Sequence, residues 1–200
     1  MMEVPQLLSL QKAILRHCDN HLQDMVLTSV KCVMIRGRLD LDINRGRMNV
    51  IRKMRHYLEI PIIPAHRRAI TSIMFSSHGL AVERLRWKER YRGPVPREWH
   101  LCRFCLTQVE DEVHALMDCQ GDRSHQLVLI REVMRREVHN ILPDFEWHLD
   151  SESYTQLQYL LHDGRLSVPI AAFVYKVLTH FDSVPMYIPA PFLYTPLLPT

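Results

Sequence analysis

The sequence lacks the features of a membrane, secreted or disordered protein. It has no window of about 18 apolar residues, so no membrane-spanning helix is expected. The start, MMEVPQLLSLQK, has no basic region ahead of a long apolar run, which predicts an intracellular protein of the nucleus or cytoplasm that is not secreted. The chain has 25 Lys and Arg and 22 Asp and Glu, so neither sign of charge dominates. The net charge of +3 does not indicate which kind of partner the protein binds. The 47% hydrophobic fraction excludes a low-hydrophobicity disordered chain.

Apolar residues recur at three- and four-residue steps along most of the chain, which predicts an all-α protein. We expect a bundle-like array of six to seven helices with a small CCHC zinc knuckle inserted into it. The first helix is predicted to run from Gln6 to about Arg36-Gly37, and the second to carry the apolar residues from Ile43 to Leu58. Further helices are predicted at 65–77, 80–92, 124–142, 151–161 and 167–181.

The predicted helices form four segments along the chain. These are an N-terminal helical segment (1–60), a zinc-binding region with flanking helices (65–142), C-terminal helices (143–184) and a proline-rich tail (185–200). Pro61 and Pro64 mark the first boundary because proline ends a helix. The tail holds five prolines, so it is predicted to lie extended over a helical surface or to stay loose.

Cysteine usage directs attention to residues 102–119. The count of five is odd and no signal peptide precedes it, which argues against a disulfide framework and for reduced metal ligands. We interpret Cys18 and Cys32 as core residues, since each lies in an apolar helical stripe. The other three cysteines belong to the pattern C-x2-C-x8-H-x4-C, formed by Cys102, Cys105, His114 and Cys119.

This pattern predicts a structural Zn²⁺ site. Zinc prefers four soft or borderline ligands in a tetrahedron, and a catalytic zinc keeps one position open for water. A complete set of four therefore favours a role in folding. On an ideal α-helix His114 and Cys119 would point about 140° apart. Cys119 is accordingly predicted to lie where the helix, beginning near Val109-Glu110, ends or unwinds before Gln120-Gly121.

Other interpretations of the cysteines remain. Cys102 and Cys105 could be incidental buried thiols with His114 at the surface. A thioredoxin-like redox pair fits less well, because no βαβ pattern surrounds it. Zinc-dependent deamination would need an H-x-E or equivalent triplet upstream, and none occurs.

A basic and aromatic stretch precedes the cysteines. If residues 80–92 are helical, Arg84, Lys88 and Arg92 align at four-residue steps, as a stripe that follows phosphates would. Bases could stack on the interleaved aromatic rings. The alternative is a solvated basic face whose aromatics dock on the core. The predicted nucleic-acid-binding residues are Arg84, Arg86, Trp87, Lys88, Arg90, Tyr91, Arg92, Arg97 and Arg103.

Residues 66–125 resemble a known family. The segments SSHGLAVERLRW, VPREWHLCRFC and VEDEVHALMDC are similar to the zinc-binding region downstream of the polymerase domain in LINE-type, non-long-terminal-repeat retrotransposon reverse transcriptases. The resemblance implies that the four predicted ligands are the zinc ligands. The helix AAFVYKVL is more loosely similar to the one that closes such reading frames, whereas residues 1–60 and the tail resemble nothing identified.

The chain departs from the complete element in its catalytic residues. A polymerase needs paired aspartates for two metal ions, and no Asp-Asp pair occurs. Some family members carry a nuclease with Pro-Asp followed by an acid-x-Lys. Pro143-Asp144 is present, but Asp163-Gly164-Arg165 has arginine in place of lysine. The resemblance therefore implies the C-terminal piece of an element, either truncated or taken into use by a host, without an enzymatic activity of its own.

We expect a non-catalytic protein that binds RNA or DNA through phosphate contacts. One alternative is a zinc-stapled interaction module that docks a protein, such as the polymerase domain of the parent element. Another is a remnant of the element without function.

Overall fold

The structure, a computed structural model, describes residues 4–36, 56–60, 63–89, 92–145, 147 and 152–193. These residues are mostly helical, which confirms the all-α prediction. In the described part of the chain, extended pairing is limited to two isolated bridges, Glu89 with Arg92 and Leu101 with Val109. No helix among these residues is both long enough and apolar enough to cross a membrane.

The helices differ widely in length. Those of ten residues or more are α1 (Val4–Thr28), α3 (Pro64–Met74), α5 (Gln126–Ile141), α6 (Ser153–His162) and α7 (Ser167–Asp182). Three have four residues each: α2 (His56–Glu59), α4 (Ala81–Arg84) and α8 (Ala190–Leu193). Single 3₁₀ turns occupy Val33–Ile35, Arg97–Trp99 and Gly164–Leu166, and a π-helical turn spans His114–Asp118.

Helix α7 lies at the centre of the protein and packs against α3 on one side and α5 on another. Its buried side chains, which include Ile170, Val174, Val177 and Phe181, belong to one hydrophobic cluster that also takes in α3, α5, α6 and the cysteine segment. The predicted helices at 65–77, 124–142, 151–161 and 167–181 are confirmed to within a few residues. The apolar residues of each helix lie on the face that packs into this cluster. Their helical spacing in the sequence therefore predicted these helices correctly.

The first helix ends earlier than predicted, at Thr28 instead of about Arg36-Gly37. Arg36 turns back and donates hydrogen bonds to the carbonyls of Val26, at 3.4 Å, and Ser29, at 2.7 Å. Cys18 is exposed, so its interpretation as a core residue was wrong, whereas Cys32 is half-buried against the core. Most of the predicted second helix lies outside the described residues.

The predicted helix over 80–92 is wrong, because only Ala81–Arg84 is helical. The chain turns after Leu85, and the amide of Val95 donates to the Leu85 carbonyl at 2.9 Å. Arg92 donates to the same carbonyl at 3.1 Å and so helps to end the helix. Ala81, Leu85 and Val95 then form a small apolar cluster of their own. Tertiary contacts have therefore overridden a helical sequence pattern.

The tail covers this second cluster. Met186, Ile188 and Phe192 pack against its buried side chains. Residues 185–189 have no regular secondary structure before the short helix α8. The prediction that the tail lies over the rest of the protein agrees with these contacts, but Ala190–Leu193 is a short helix instead of the extended chain that was predicted.

Candidate metal centre and its surroundings

The four predicted ligands come together in space. Their ligand atoms all lie within 4.8 Å of one another, and three of the four residues are buried. The Sγ atoms of Cys102 and Cys119 are 3.6 Å apart, and the Sγ of Cys105 lies 3.4 Å from Nε2 of His114. All three cysteines are free thiols. The prediction that Cys102, Cys105, His114 and Cys119 form one cluster is confirmed.

The spacing of these atoms fits a tetrahedral cation. With metal–sulfur bonds of about 2.3 Å, two thiolates on a tetrahedron are separated by about 3.8 Å, and a thiolate and an imidazole nitrogen by slightly less. The observed separations of 3.6 Å and 3.4 Å agree with these values. Three sulfurs and one imidazole form the donor set of structural zinc sites. The cluster can therefore hold a metal ion of this class.

The first two ligands lie on a tight turn that is closed by backbone hydrogen bonds. The amide of Leu106 donates to the Cys102 carbonyl at 2.8 Å, and the amide of Cys102 donates to the Gln108 carbonyl at 2.8 Å. To complete this turn, Leu106 adopts a left-handed conformation with φ of 57°. Such a conformation is costly for a residue with a side chain, so the turn is held by its surroundings.

The last two ligands depend on the π-helical turn at His114–Asp118. The amide of Cys119 donates to the His114 carbonyl at 2.8 Å, a bond that spans five residues instead of the four of an α-helix. A π turn is wider than an α turn, so five residues complete only slightly more than one revolution. His114 and Cys119 are thereby brought to the same side. The prediction that Cys119 lies at the end of the helix is confirmed, and the π turn is its mechanism.

Gly121 allows the two halves of the site to touch. A Cβ atom added to it would lie 2.5 Å from the Cα of Cys105, far inside van der Waals contact. Only glycine permits this approach, because any side chain would displace the first cysteine turn.

The three thiols have shifted pKa values, in part because they contact one another. The hydrogen bond to Cys119, aided by burial, raises the pKa of Cys102 to about 12. The same hydrogen bond lowers the pKa of Cys119. Burial opposes ionisation of Cys105, but hydrogen bonds from Thr107 and Gln108 lower its pKa overall. Thiolates are the species that bind metals, so a bound cation would displace the remaining thiol protons.

Arg131 supports the π turn from helix α5. It is 5% exposed, and its guanidinium donates to the carbonyls of Leu116 at 2.7 Å, Cys119 at 2.6 Å and Ala115 at 3.0 Å. Burial lowers its pKa. The last carbonyls of a helix have no hydrogen-bond donors within it, and Arg131 supplies those donors. Arg131 was not predicted from the sequence, although a signal is present there: it interrupts the apolar stripe of α5 between Leu127 and Met134.

Arg103 and Glu110 form a second buried support. Their side chains are 4% and 0% exposed, and the closest approach of Arg103 Nη2 to Glu110 Oε1 is 2.6 Å. The guanidinium also donates to the carbonyls of Phe181 at 2.7 Å and Val184 at 3.0 Å, at the end of α7. Glu110 accepts the amide of Ala81 at 2.9 Å. These contacts fix the first cysteine turn to α7 and to the start of α4.

The segments SSHGL and VEDEVH contact each other. His78 Nε2 lies 2.8 Å from Glu112 Oε1, and the Ser76 hydroxyl donates to the same oxygen at 2.9 Å. Burial alone would raise the pKa of Glu112, but its hydrogen bond to His78 and the other contacts lower it overall. His78 and Glu112 thus hold the end of α3 against the segment that carries the cysteines.

The structure divides the predicted nucleic-acid-binding residues into two groups. Arg84, Lys88 and Trp87 are exposed, Arg97 is 63% exposed, and Arg86 is partly exposed beside Glu83. Arg92 and Arg103 are buried. Arg92 donates to the carbonyls of Arg84, Leu85 and Gly93 and pairs with Glu89. The side chains of these two arginines bind groups within the protein, so they do not belong to the predicted nucleic-acid-binding surface. The predicted stripe of Arg84, Lys88 and Arg92 at four-residue steps does not form. Arg90 and Tyr91 lie outside the described residues.

Comparisons with protein-family models, curated proteins and solved structures find no match for this chain.

Proposed function

We propose that the chain is a non-catalytic, zinc-stabilised nucleic-acid-binding region derived from the reverse transcriptase of a LINE-type retrotransposon. The observation that carries this proposal is the surroundings of Trp87. Its ring is 55% exposed, the Arg86 guanidinium carbon lies 4.6 Å from the ring centroid, and Lys31 Nζ lies 5.4 Å from it. An exposed ring with two cations near it offers a stacking surface beside phosphate-binding charges.

The cations near this ring come from two parts of the chain and are exposed or partly exposed. Arg84, Arg86 and Lys88 follow one another in sequence around Trp87, whereas Lys31 arrives from the turn after α1. Lysine and arginine side chains bind phosphates irrespective of base sequence. A single-stranded RNA or DNA would place a base on Trp87 and its backbone along these cations.

In this proposal the metal is Zn²⁺ and its role is to hold the platform in shape. Cys102, Cys105, His114 and Cys119 complete its coordination and leave no position for a reacting water. Arg103 connects the metal-binding turn to the start of α4, which immediately precedes Trp87.

The absence of catalysis is part of the proposal. Pro143-Asp144 is the only remnant of a nuclease motif, and no Asp-Asp pair is present for two-metal chemistry. We expect neither nuclease, polymerase nor deaminase activity from the zinc-loaded protein. Metal-dependent DNA cleavage that disappears in Asp144→Ala would contradict this part.

The central experiment measures binding of a fluorescently labelled, single-stranded oligonucleotide to the full zinc-loaded chain by anisotropy. Arg84→Glu and Lys88→Glu should each weaken binding and lower the salt dependence, because each removes a phosphate contact. Arg136→Glu is the matched control, since it makes the same change on the exposed surface of α5. It should have a much smaller effect.

The aromatic component is tested separately. Trp87→Ala should cost about 1–3 kcal/mol of binding free energy without changing the salt dependence. Trp99→Ala is its control, because Trp99 is also exposed, at 45%, but lies against the tail residue Phe192. Unfolding is followed for each variant by circular dichroism. Unchanged affinity in a folded Arg84→Glu, Lys88→Glu double variant would refute the proposal.

A second candidate function is a protein-interaction module. The observation that favours it is the exposed apolar surface of α1, where Leu7, Leu8 and Ile14 are each about half exposed, at 49%, 53% and 53%. Exposed apolar patches of this kind mark protein contacts. This surface lies on α1, whereas Trp87 lies in the turn after α4, so the two functions do not exclude each other.

A further inference from the structure

A cavity of about 370 Å³ lies beside Trp87. Arg86 lines this cavity and also contacts the Trp87 ring, with 4.6 Å between its guanidinium carbon and the ring centroid. Val30 lines the cavity too, and the next residue, Lys31, places its Nζ 5.4 Å from the same centroid. The cavity therefore adjoins the surface proposed above for nucleic acid. Its volume falls within the range of small-molecule sites, about 300–1,000 Å³.

The walls of the cavity are mostly apolar and come from separate parts of the chain. The turn after α1, helix α4 and the cysteine segment supply its apolar side chains, which are Val30, Val33, Met34, Val82 and Val113. The Tyr154 hydroxyl donates to the Val33 carbonyl at 2.9 Å and so ties α6 to the turn after α1. Apolar walls with a few polar groups suit a flat aromatic ligand, whose faces need no hydrogen bonds.

Two polar atoms of side chains that line the cavity have no hydrogen-bond partner in the described part of the chain. They are Nδ1 of His100, a residue that is 2% exposed, and Nε of Arg86. Nε2 of His100 lies 2.8 Å from the Val95 carbonyl and must donate to it, because a carbonyl only accepts. In the neutral ring Nδ1 is then an acceptor, whereas Arg86 Nε is a donor. Unpaired buried polar atoms are costly, so this pair favours a ligand that offers both a donor and an acceptor.

The charges around the cavity favour a neutral ligand over a phosphate. Three carboxylates and two guanidiniums line it, from Glu83, Asp111, Glu112, Arg86 and Arg97. The guanidiniums are already paired, Arg86 with Glu83 at 3.0 Å and Arg97 with Asp111 at 3.1 Å. A phosphate would meet an excess of negative charge, which is unfavourable. A neutral group with N–H donors would instead bind to the carboxylates.

Guanine meets these requirements better than the other bases. It has two neighbouring donors, N1–H and the N2 amino group, which one carboxylate can accept together, and two acceptors, O6 and N7, which an arginine can bind. Uracil and thymine offer a single N–H donor, and adenine and cytosine offer one amino group. Both side-chain contacts of Glu112, with Ser76 and His78, use Oε1, so its Oε2 can accept a donor from a base.

We propose that this cavity binds one unstacked guanine base of a single strand whose neighbouring base stacks on Trp87. Glu83 and Glu112 accept hydrogen bonds from the base, Arg86 donates to it, and the apolar walls contact its faces. Proteins that bind single strands commonly read splayed-out bases in this way. The proposal rests on the nucleic-acid binding proposed above and adds base selectivity to it, since phosphate contacts alone carry no sequence information.

The test measures the affinity of the full zinc-loaded chain for a labelled thymidine strand and for the same strand with one central guanosine, by anisotropy. Guanosine should raise the affinity at least about 10-fold, as expected for a base bound on two edges. Inosine, which lacks only the N2 amino group, should lose most of this increase, and adenosine should give none. Equal affinities for the four strands would overturn the proposal.

A larger side chain in the cavity should remove the selectivity. Val82→Phe should abolish the increase from guanosine and leave the affinity for the thymidine strand unchanged. Val128→Phe is the matched control, since it makes the same change at a position on α5 that is 40% exposed and does not line the cavity. Zinc content and circular dichroism show whether each variant is folded. An increase that survives in folded Val82→Phe contradicts the proposal.

A carboxylate variant that keeps its shape provides a second, milder test. Glu83→Gln should reduce the increase from guanosine without weakening the binding of the thymidine strand. If the carboxylate only repels phosphates, both strands will bind more tightly and the increase will remain, which also overturns the proposal. Glu98→Gln is the control, because Glu98 is exposed, lies outside the cavity lining and loses the same charge.

Failure of this proposal is distinguishable from failure of the proposed function. If the thymidine strand binds through Arg84 and Lys88 and guanosine adds nothing, nucleic-acid binding stands and the guanine site is overturned. If neither strand binds, both are overturned.

Discussion

Arg103 Nη2 lies 2.6 Å from Glu110 Oε1, and both side chains are almost completely buried. Arg103 stands next to the predicted metal ligand Cys102 in sequence and is basic, so the sequence predicted that it would contact nucleic acid. Its position instead makes it a connection between the cysteine turn and the end of α7. Charge in a sequence does not reveal whether the side chain is already satisfied within the protein.

Loss of this buried ion pair should be costly. Arg103→Met leaves the Glu110 carboxylate buried without its partner, and we expect the free energy of unfolding to fall by about 3–5 kcal/mol. Arg97→Met is the control, because the Arg97–Asp111 pair is exposed and should contribute at most about 1 kcal/mol. Urea unfolding of the zinc-loaded proteins provides the measurement. Equal effects of the two substitutions would show that burial does not matter here.

The metal prediction concerns stoichiometry. Purified protein should contain close to one zinc per chain by elemental analysis, and Cys105→Ser should lose most of it. Hydrogen exchange should then accelerate over residues 97–125, because metal-binding energy is also folding energy. Cys18→Ser, which changes an exposed cysteine outside the cluster, should keep its zinc. Folded protein that contains no metal would contradict the assignment.

Arg131 should influence the metal without touching it. Arg131→Met removes the donors that serve the carbonyls of Ala115, Leu116 and Cys119, so the π turn should lose its support. We expect zinc affinity to fall about 10- to 100-fold, as for other residues that orient metal ligands. Competition with a chromophoric chelator measures this change. Arg136→Met, on the exposed side of the same helix, should leave the affinity unaltered.

Asp122 should make stability depend on pH in acid. Burial opposes its ionisation, but hydrogen bonds from Ser124 and Leu127 and the nearby His180 lower its pKa from 3.8 to about 2. Because this pKa is lowered on folding, ionised Asp122 stabilises the protein above about pH 4, and the contribution is lost as pH falls towards 2. Asp122→Asn should cost about 1 kcal/mol at neutral pH, as expected for a group that caps a helix.

Urea unfolding of both proteins, loaded with zinc before the pH is changed, tests this at several pH values. Acid release of the metal affects both proteins alike, so it does not contribute to the difference between them. The difference between them should shrink below pH 4. A constant difference down to pH 2 would exclude Asp122 as its source.

Replacing Leu106 by glycine should raise the stability of the protein. The φ of Leu106, 57°, lies in the left-handed region, and its side chain is 49% exposed, so little packing would be lost on replacement. Leu106→Gly is expected to raise stability by up to about 1 kcal/mol, after allowing for the greater freedom of glycine in the unfolded chain. Gln108→Gly, at a neighbouring exposed position without a positive φ, should lower it instead. Thermal unfolding distinguishes these opposite effects.

The sequence predicted well those helices whose apolar residues recur at helical spacing and are buried. Helices α5 and α7 carry apolar residues at helical spacing, and those residues form the core. The region 80–92 has a similar pattern but is turned back by Arg92 and Val95, through contacts with the Leu85 carbonyl. Such contacts join residues that no periodicity connects, so they were not predictable.

The candidate site likewise has parts that the sequence predicted and parts that it did not. Its four ligands were predictable because metal coordination imposes a spacing on the sequence. Its supports were harder to find, since Arg103, Glu110 and His78 act through loops whose positions depend on the complete fold. Arg131 lies between these cases, because a charged residue within the apolar stripe of α5 already indicated an unusual buried role.

The π turn between His114 and Cys119 also determines how the segment should tolerate changes in length. Deleting Met117 would leave three residues between these two ligands in place of four, and an ordinary α turn would then keep them about 40° apart. Adding one residue would leave five between them and turn the thiol about 120° away from the histidine on an α-helix. The segment should therefore accept a deletion and reject an insertion, the reverse of the usual behaviour of a surface loop.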